Sequence, residues 1–184
     1  MSFSSQYPIL LEAVPLAFAA LCPIVGMWKR KLCFPFSVAG VLATNFFIFS
    51  LWGKVTSTNT VTYALGGWRP PFGIQIRIDY VGLFIASIIG AVGLLVLIYS
   101  WRYVSHELEE EKCTYYYTLY LLLFASMLGF TVTGDIFNMF VFMEIFSIAS
   151  YALVGITGQR RAVRAALKYL LMGATSSIIV LLAI

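Results

Sequence analysis

Residues 80–101 read YVGLFIASIIGAVGLLVLIYSW, a run of apolar and small residues without one Asp, Glu, Lys or Arg. At about 1.5 Å of rise per residue, a helix of this length covers roughly the 30 Å hydrocarbon core of a bilayer. A charge-free stretch of that length reads as a transmembrane helix. The whole chain has the same character: 61% of its 184 residues are hydrophobic and 11% are charged, with a mean hydropathy of +0.91. A soluble domain carries about 25% charged residues, so this chain cannot face water over most of its surface. A soluble enzyme, a secreted disulfide scaffold and a nucleic-acid-binding domain are thereby disfavoured, and the lipid bilayer becomes the first expected partner.

Five further apolar runs flank this one, over about residues 8–27, 32–52, 113–133, 135–156 and 163–184. The first contains Pro15 and Pro23, which membrane helices tolerate when neighbours satisfy the freed carbonyls. The expected fold is therefore an all-α integral membrane protein, a single membrane domain over residues 1–184 with six spans. Between spans two and three, residues 54–79 are too polar to cross. Lys54 to Tyr63 is rich in Val and Thr, and Ile74, Ile76 and Ile78 alternate with Gln75 and Arg77, which is the period of a half-buried strand. Gly66, Gly67, Pro70, Pro71 and Gly73 supply turn residues between the two halves. The pattern predicts an extramembrane β-hairpin. Gly82, Ala86 and Gly90, four apart, make a small-residue packing stripe on span three.

Orientation follows from the basic residues. With the N-terminus outside, the inner loops hold Lys29, Arg30, Lys31, Arg102, Lys112, Arg160, Arg161 and Arg164, against Lys54, Arg69 and Arg77 on the outer side. The positive-inside rule favours this arrangement, with both ends of the six-span chain outside a plasma membrane. Cys22, Cys33 and Cys113 form no CxxC pair, and His106 is the one histidine. No ligand set for zinc, haem or an iron–sulfur cluster is present, so no cofactor and no metal is expected in this chain. No cluster of nucleophile, base and orienting residue points to a catalytic site either.

Most charges stand at span ends, where long side chains reach the interface at small cost. Glu144 does not: it lies nine residues beyond Asp135, roughly 13 Å along the helix and near mid-membrane. A charge at that depth costs about 2.5–3.5 kcal/mol on insertion scales and needs a partner, a hydrated path or a role in moving ions. Lys168 on the next span is the candidate cation, although it begins only about 8 Å deep and could instead reach the interface. Glu144, Ser147 and Tyr151 share one helical face, as do Arg164, Lys168 and Thr175. Facing stripes would outline a hydrated inner half-channel ending at Glu144. The competing reading makes Glu144 a buried hydrogen-bond anchor in a scaffold that docks neighbouring membrane subunits. Glu12 reads as interfacial, Asp135 and Asp79 as helix caps, and His106 as a solvated surface residue.

Three stretches carry a family resemblance: GGWRPPFGIQIRID over residues 66–79, TGDIFNMFVFMEI over 133–145, and ALKYLLMGATSS over 166–177. They resemble the antiporter-like membrane subunits of NADH:quinone oxidoreductase, of Mrp-type cation/proton antiporters and of archaeal membrane-bound hydrogenase and sulfane reductase complexes. The first stretch looks most like the Mrp D-type subunit and its hydrogenase relatives. The resemblance implies that Glu144 matches the family's helix 5 glutamate and Lys168 its helix 6 lysine, a pair that modulates proton affinity during translocation. It also implies a proton- or sodium/proton-translocating subunit that works beside similar subunits in a large membrane complex, itself without redox chemistry. Full members of the group carry about fourteen helices in inverted repeats, whereas this sequence stops in the sixth. The apolar end at Ile184 is read as truncation, or as a shortened paralogue completed by another polypeptide.

Overall fold

The computed structural model describes residues 6–68 and 72–184. Arg69, Pro70 and Pro71, counted above among the outer charges and turn residues, lie outside the described residues. Six helices long and apolar enough to cross a membrane form the architecture: α1 (Tyr7–Trp28), α2 (Cys33–Thr58), α3 (Tyr80–Glu107), α4 (Glu110–Val132), α5 (Ile136–Gly155) and α6 (Arg160–Ala183). A two-stranded antiparallel sheet, β1 (Thr60–Ala64) with β2 (Gln75–Asp79), stands between α2 and α3. Its register pairs Thr60 with Asp79, Tyr63 with Ile76 and Ala64 with Gln75.

The strands are shorter than the Val/Thr-rich stretch suggested, because α2 runs on to Thr58. Three hydroxyls at its end bond back to backbone carbonyls: Thr56 to Trp52 O at 2.7 Å, Ser57 and Thr58 to Lys54 O at 2.8 and 2.9 Å. Asn59, at φ +62°, then breaks the helix, a left-handed conformation that asparagine tolerates. α3 likewise continues to Glu107, beyond the last residue of its apolar run. In both cases apolar composition marks where lipid ends, and the backbone ladder continues past it.

α4 is the central helix. α1 and α5 pack most extensively against it, and α3 and α2 also touch it. The core is built of Leu11, Val41, Leu51, Leu83, Leu97, Leu121 and Leu128, all fully buried. Close approach depends on small residues. A Cβ on Gly26 of α1 would collide with the Thr114 side chain of α4, and one on Gly129 of α4 would enter the Phe142 ring of α5. The predicted stripe on α3 packs as expected: Ala86 is fully buried, and Gly90 stands against Asn45 of α2, whose Nδ2 donates to the Gly90 carbonyl at 3.2 Å. α6 packs on α5 and has no buried residue of its own.

On the hairpin side, the helix ends are tied together by the sheet. The Gly134 N–H donates to Gln75 O at 2.8 Å, and Ile76 forms a bridge with Thr133. The strand β2 thereby grips the turn between α4 and α5. Asp135 caps α5 by accepting the Asn138 N–H at 2.7 Å, and Asn138 Nδ2 donates to Thr133 Oγ1 at 3.0 Å. Asp79 caps α3 by accepting the Gly82 N–H at 2.8 Å. His106 is exposed.

Candidate ion-translocation site

Glu144 sits on α5, half-buried, in the seam with α6. Its Oε1 accepts a hydrogen bond from Ser177 Oγ. Lower in the same seam Tyr151, 8% exposed, stacks edge-on against Tyr169 with ring centroids 4.6 Å apart. Its phenol lies over Gly173, where a Cβ would come within 2.5 Å of Cζ. Lower still, a Cβ on Gly155 would stand 3.2 Å from the Ala166 side chain. The α5 stripe of Glu144 and Tyr151 thus faces α6, and Ser147, half-buried, shares that face.

The polar stripe of α6 does not face back. Lys168 and Ser177 are nine residues apart, which at 3.6 residues per turn is two and a half turns and places them on opposite sides of the helix. Arg164, Lys168 and Thr175 are all exposed, and the Thr175 hydroxyl is spent on Leu171 O at 2.8 Å. The ion pairs Arg30–Glu111 at 3.4 Å and Lys112–Glu109 at 3.2 Å both lie away from this seam. Within this chain the two stripes therefore do not enclose the half-channel outlined above, and Glu144 meets a hydroxyl where a lysine was expected. The face that meets α5 is lined by Ala162, Ala166, Gly173 and Ser177, each partly covered. Their spacing of four, seven and four residues is helical, and it is the signal by which Ser177 could have been found: in a membrane seam small residues mark the contact face.

Glu12 also stands apart from its expected place. Although only five residues from the start of α1, it is 5% exposed rather than interfacial, because α4 and α2 cover that face of α1. Among the described residues, no group of three or more His, Cys, Asp or Glu side chains could hold a metal ion.

Residues 133–184, which contain Glu144, Ser177 and Lys168, match the family model described as NADH:quinone oxidoreductase/Mrp antiporter, TM. The chain is homologous to the antiporter-like membrane subunits. It is 33% identical over 187 aligned residues to NADH-quinone oxidoreductase subunit N of Desulforudis audaxviator, an alignment covering 98% of this chain and 36% of that one. To the D-type subunit of the Na(+)/H(+) antiporter of Bacillus subtilis it is 32% identical, over 94% of this chain and 34% of the relative. Among solved structures, a chain of the membrane-bound sulfane sulfur reductase, an archaeal respiratory membrane complex, superposes with a TM-score of 0.86 at 33% identity, covering 94% of this chain and 35% of its own length. A chain of the Mrp complex of a Dietzia species shares the fold with a TM-score of 0.82 at 24% identity. The chain spans about a third of the length of these antiporter-like relatives. Its six membrane-length helices make it a multi-pass membrane protein.

Proposed function

We propose that this chain provides a proton- or sodium/proton-translocating element of a multi-subunit membrane complex, with Glu144 as the group that takes up and releases the ion. The observation that carries this reading is the Glu144–Ser177 contact across the α5–α6 seam, inside the segment that matches the antiporter family. A carboxylate about 13 Å from the capped end of its helix is far from bulk water, and an intramembrane acid is by default a functional group. A hydroxyl partner suits the task, since Ser can donate to the ionised carboxylate and accept from the protonated one. Lys168 acts on Glu144 through space from the far side of α6. Ser147 and Tyr151 line the path toward the inner surface, with Arg164 and Thr175 on the outward stripe of α6. The complex lies in the plasma membrane, with the chain's N-terminus outside and other antiporter-like subunits alongside.

The test is Glu144→Gln in the assembled complex, with coupled proton or sodium movement measured in membrane vesicles. Loss of movement with assembly intact is expected, and wild-type movement overturns the reading. The same hydrogen bond favours one other reading, a scaffold in which Glu144 anchors α5 to α6. Glutamine keeps an acceptor for Ser177, so a scaffold retains full transport in that variant.

A further inference from the structure

The translocation reading uses one intramembrane carboxyl, and the bundle holds a second. Glu12 is 5% exposed, and among the described residues its Oε1 is buried without a hydrogen-bond partner. Neither of the two described ion pairs includes it. Its position is set by helix register. α1 and α4 run antiparallel, and Gly26 lies against Thr114. Fourteen residues back along α1 from Gly26 is Glu12, and fourteen forward along α4 from Thr114 is Leu128. Toward α5, Gly129 lies against Phe142, which brings Glu144, two residues on, level with Met127. The two carboxyls therefore stand at one height on helices that both pack against α4, within about one residue's rise.

The described charged groups near this face of α1 stand at other heights. α4 contributes Leu128 and Ala125, both fully buried, with Tyr120 and Tyr117 two to three turns nearer its N-terminal end and the Glu110–Lys112 charges at its start. On α2, Lys54 stands over the Tyr7 ring at 4.5 Å, nearer the hairpin, and Cys33 lies at the opposite end. From the hairpin come Tyr63, Arg77, exposed, and Asp79, which is engaged in capping α3. Pro15, inside α1, has no N–H to give to the Leu11 carbonyl, so the helix ladder lacks that bond one residue from Glu12. A buried carboxylate with no partner is costly, and a bound proton removes that cost while supplying a donor.

We propose that Glu12 is a second proton-binding site within the membrane, level with Glu144. Describing it as second rests on the reading of Glu144 given above, but its occupancy by a proton does not. The test uses dicyclohexylcarbodiimide on the assembled complex in its membrane. This reagent takes the proton of an un-ionised carboxyl onto one nitrogen while the carboxyl oxygen bonds to its central carbon, and an acyl shift to nitrogen leaves a stable adduct that peptide mass spectrometry locates. The expected result is an adduct on the Glu12 peptide in the wild type, at a yield within twofold in Glu144→Gln, and a drop of threefold or more in ion movement in Glu12→Gln. Glu12→Asp keeps the carboxyl and retains the adduct, which guards against a glutamine variant that fails to assemble. An unmodified Glu12 peptide alongside a modified Glu144 peptide overturns the proposal, as does wild-type ion movement in Glu12→Gln. Wild-type movement in Glu144→Gln overturns the earlier reading, while the Glu12 adduct decides this one separately.

Discussion

The α5–α6 seam makes a quantitative prediction through Gly173. This position is a contact rather than a flexible point: a Cβ there would fall within 2.5 Å of Tyr151 Cζ and 3.2 Å of Cε1, so Gly173→Ala must push the ring aside or part the helices. Overpacking of this kind costs about 1–3 kcal/mol. Ser177 lies one turn further along, about 6 Å away, so parting the helices also strains its hydrogen bond to Glu144, worth about 0.5–1.5 kcal/mol net. The expected total for Gly173→Ala is about 2–4 kcal/mol. Tyr151→Ala removes a buried aromatic side chain and costs about 3–5 kcal/mol, taking the range for Phe and Trp. Independent effects would sum in the double variant. If the Gly173 cost arises from collision with Tyr151, removing the ring relieves it, and the double variant is no less stable than Tyr151→Ala alone, a non-additivity of about 2–4 kcal/mol. Unfolding free energies in mixed detergent micelles give all four corners of the cycle. An additive cycle, or a neutral Gly173→Ala, would refute the packing argument and with it the placement of Ser177 against Glu144.

Ser177→Ala leaves Glu144 with no described hydrogen-bond partner and should slow ion movement about threefold to tenfold, at about 1 kcal/mol for the bond; vesicle transport assays report it, and Ser177→Thr should restore the rate. Lys168 lies about 13 Å from Ser177 along α6, so at an effective dielectric constant of about 20 its influence on Glu144 is about 1 kcal/mol or less. Lys168→Ala should therefore change transport by no more than about tenfold, Lys168→Arg should be close to neutral, and a complete loss in Lys168→Ala would show that the lysine meets Glu144 directly. Asp135→Ala removes the cap on α5 and should cost about 1 kcal/mol of stability, read as a lowered thermal midpoint of the purified complex.

The six spans were legible because lipid imposes length and apolarity together, and the hairpin because its isoleucines alternate. Asp79 and Asp135 could be assigned as caps because each directly precedes an apolar helix. What eluded the sequence was which way each helix face turns. Arg164, Lys168 and Thr175 share a face, and polarity suggests that a polar face seeks another polar face. In a membrane seam, however, van der Waals approach decides, and Ala162, Ala166, Gly173 and Ser177 allow it. Glu12 was misplaced for a related reason: distance from a helix end measures depth in the membrane, whereas burial depends on which helices cover that face. Tertiary packing of α4 and α2 on α1 supplied that cover, and neither helix adjoins Glu12 in sequence closely enough to reveal it.

The grip of β2 on the turn between α4 and α5 has a mechanical side. With Gly134 bonded to Gln75 and Thr133 bridged to Ile76, the hairpin end of α5 is a fulcrum, and its far end is joined to α6 by a short turn tethered to α4 through Lys112 Nζ, which donates to Thr157 O at 3.1 Å. Glu144 lies nine residues from the cap and Gly155 twenty, about 13 Å and 30 Å along the axis. A swing of α5 about that pivot moves Glu144 by a little under half the travel at the far end. A partner pushing on the α5–α6 turn would thus work a reducing lever, turning a coarse displacement of a few ångströms into the one or two that make or break a single hydrogen bond.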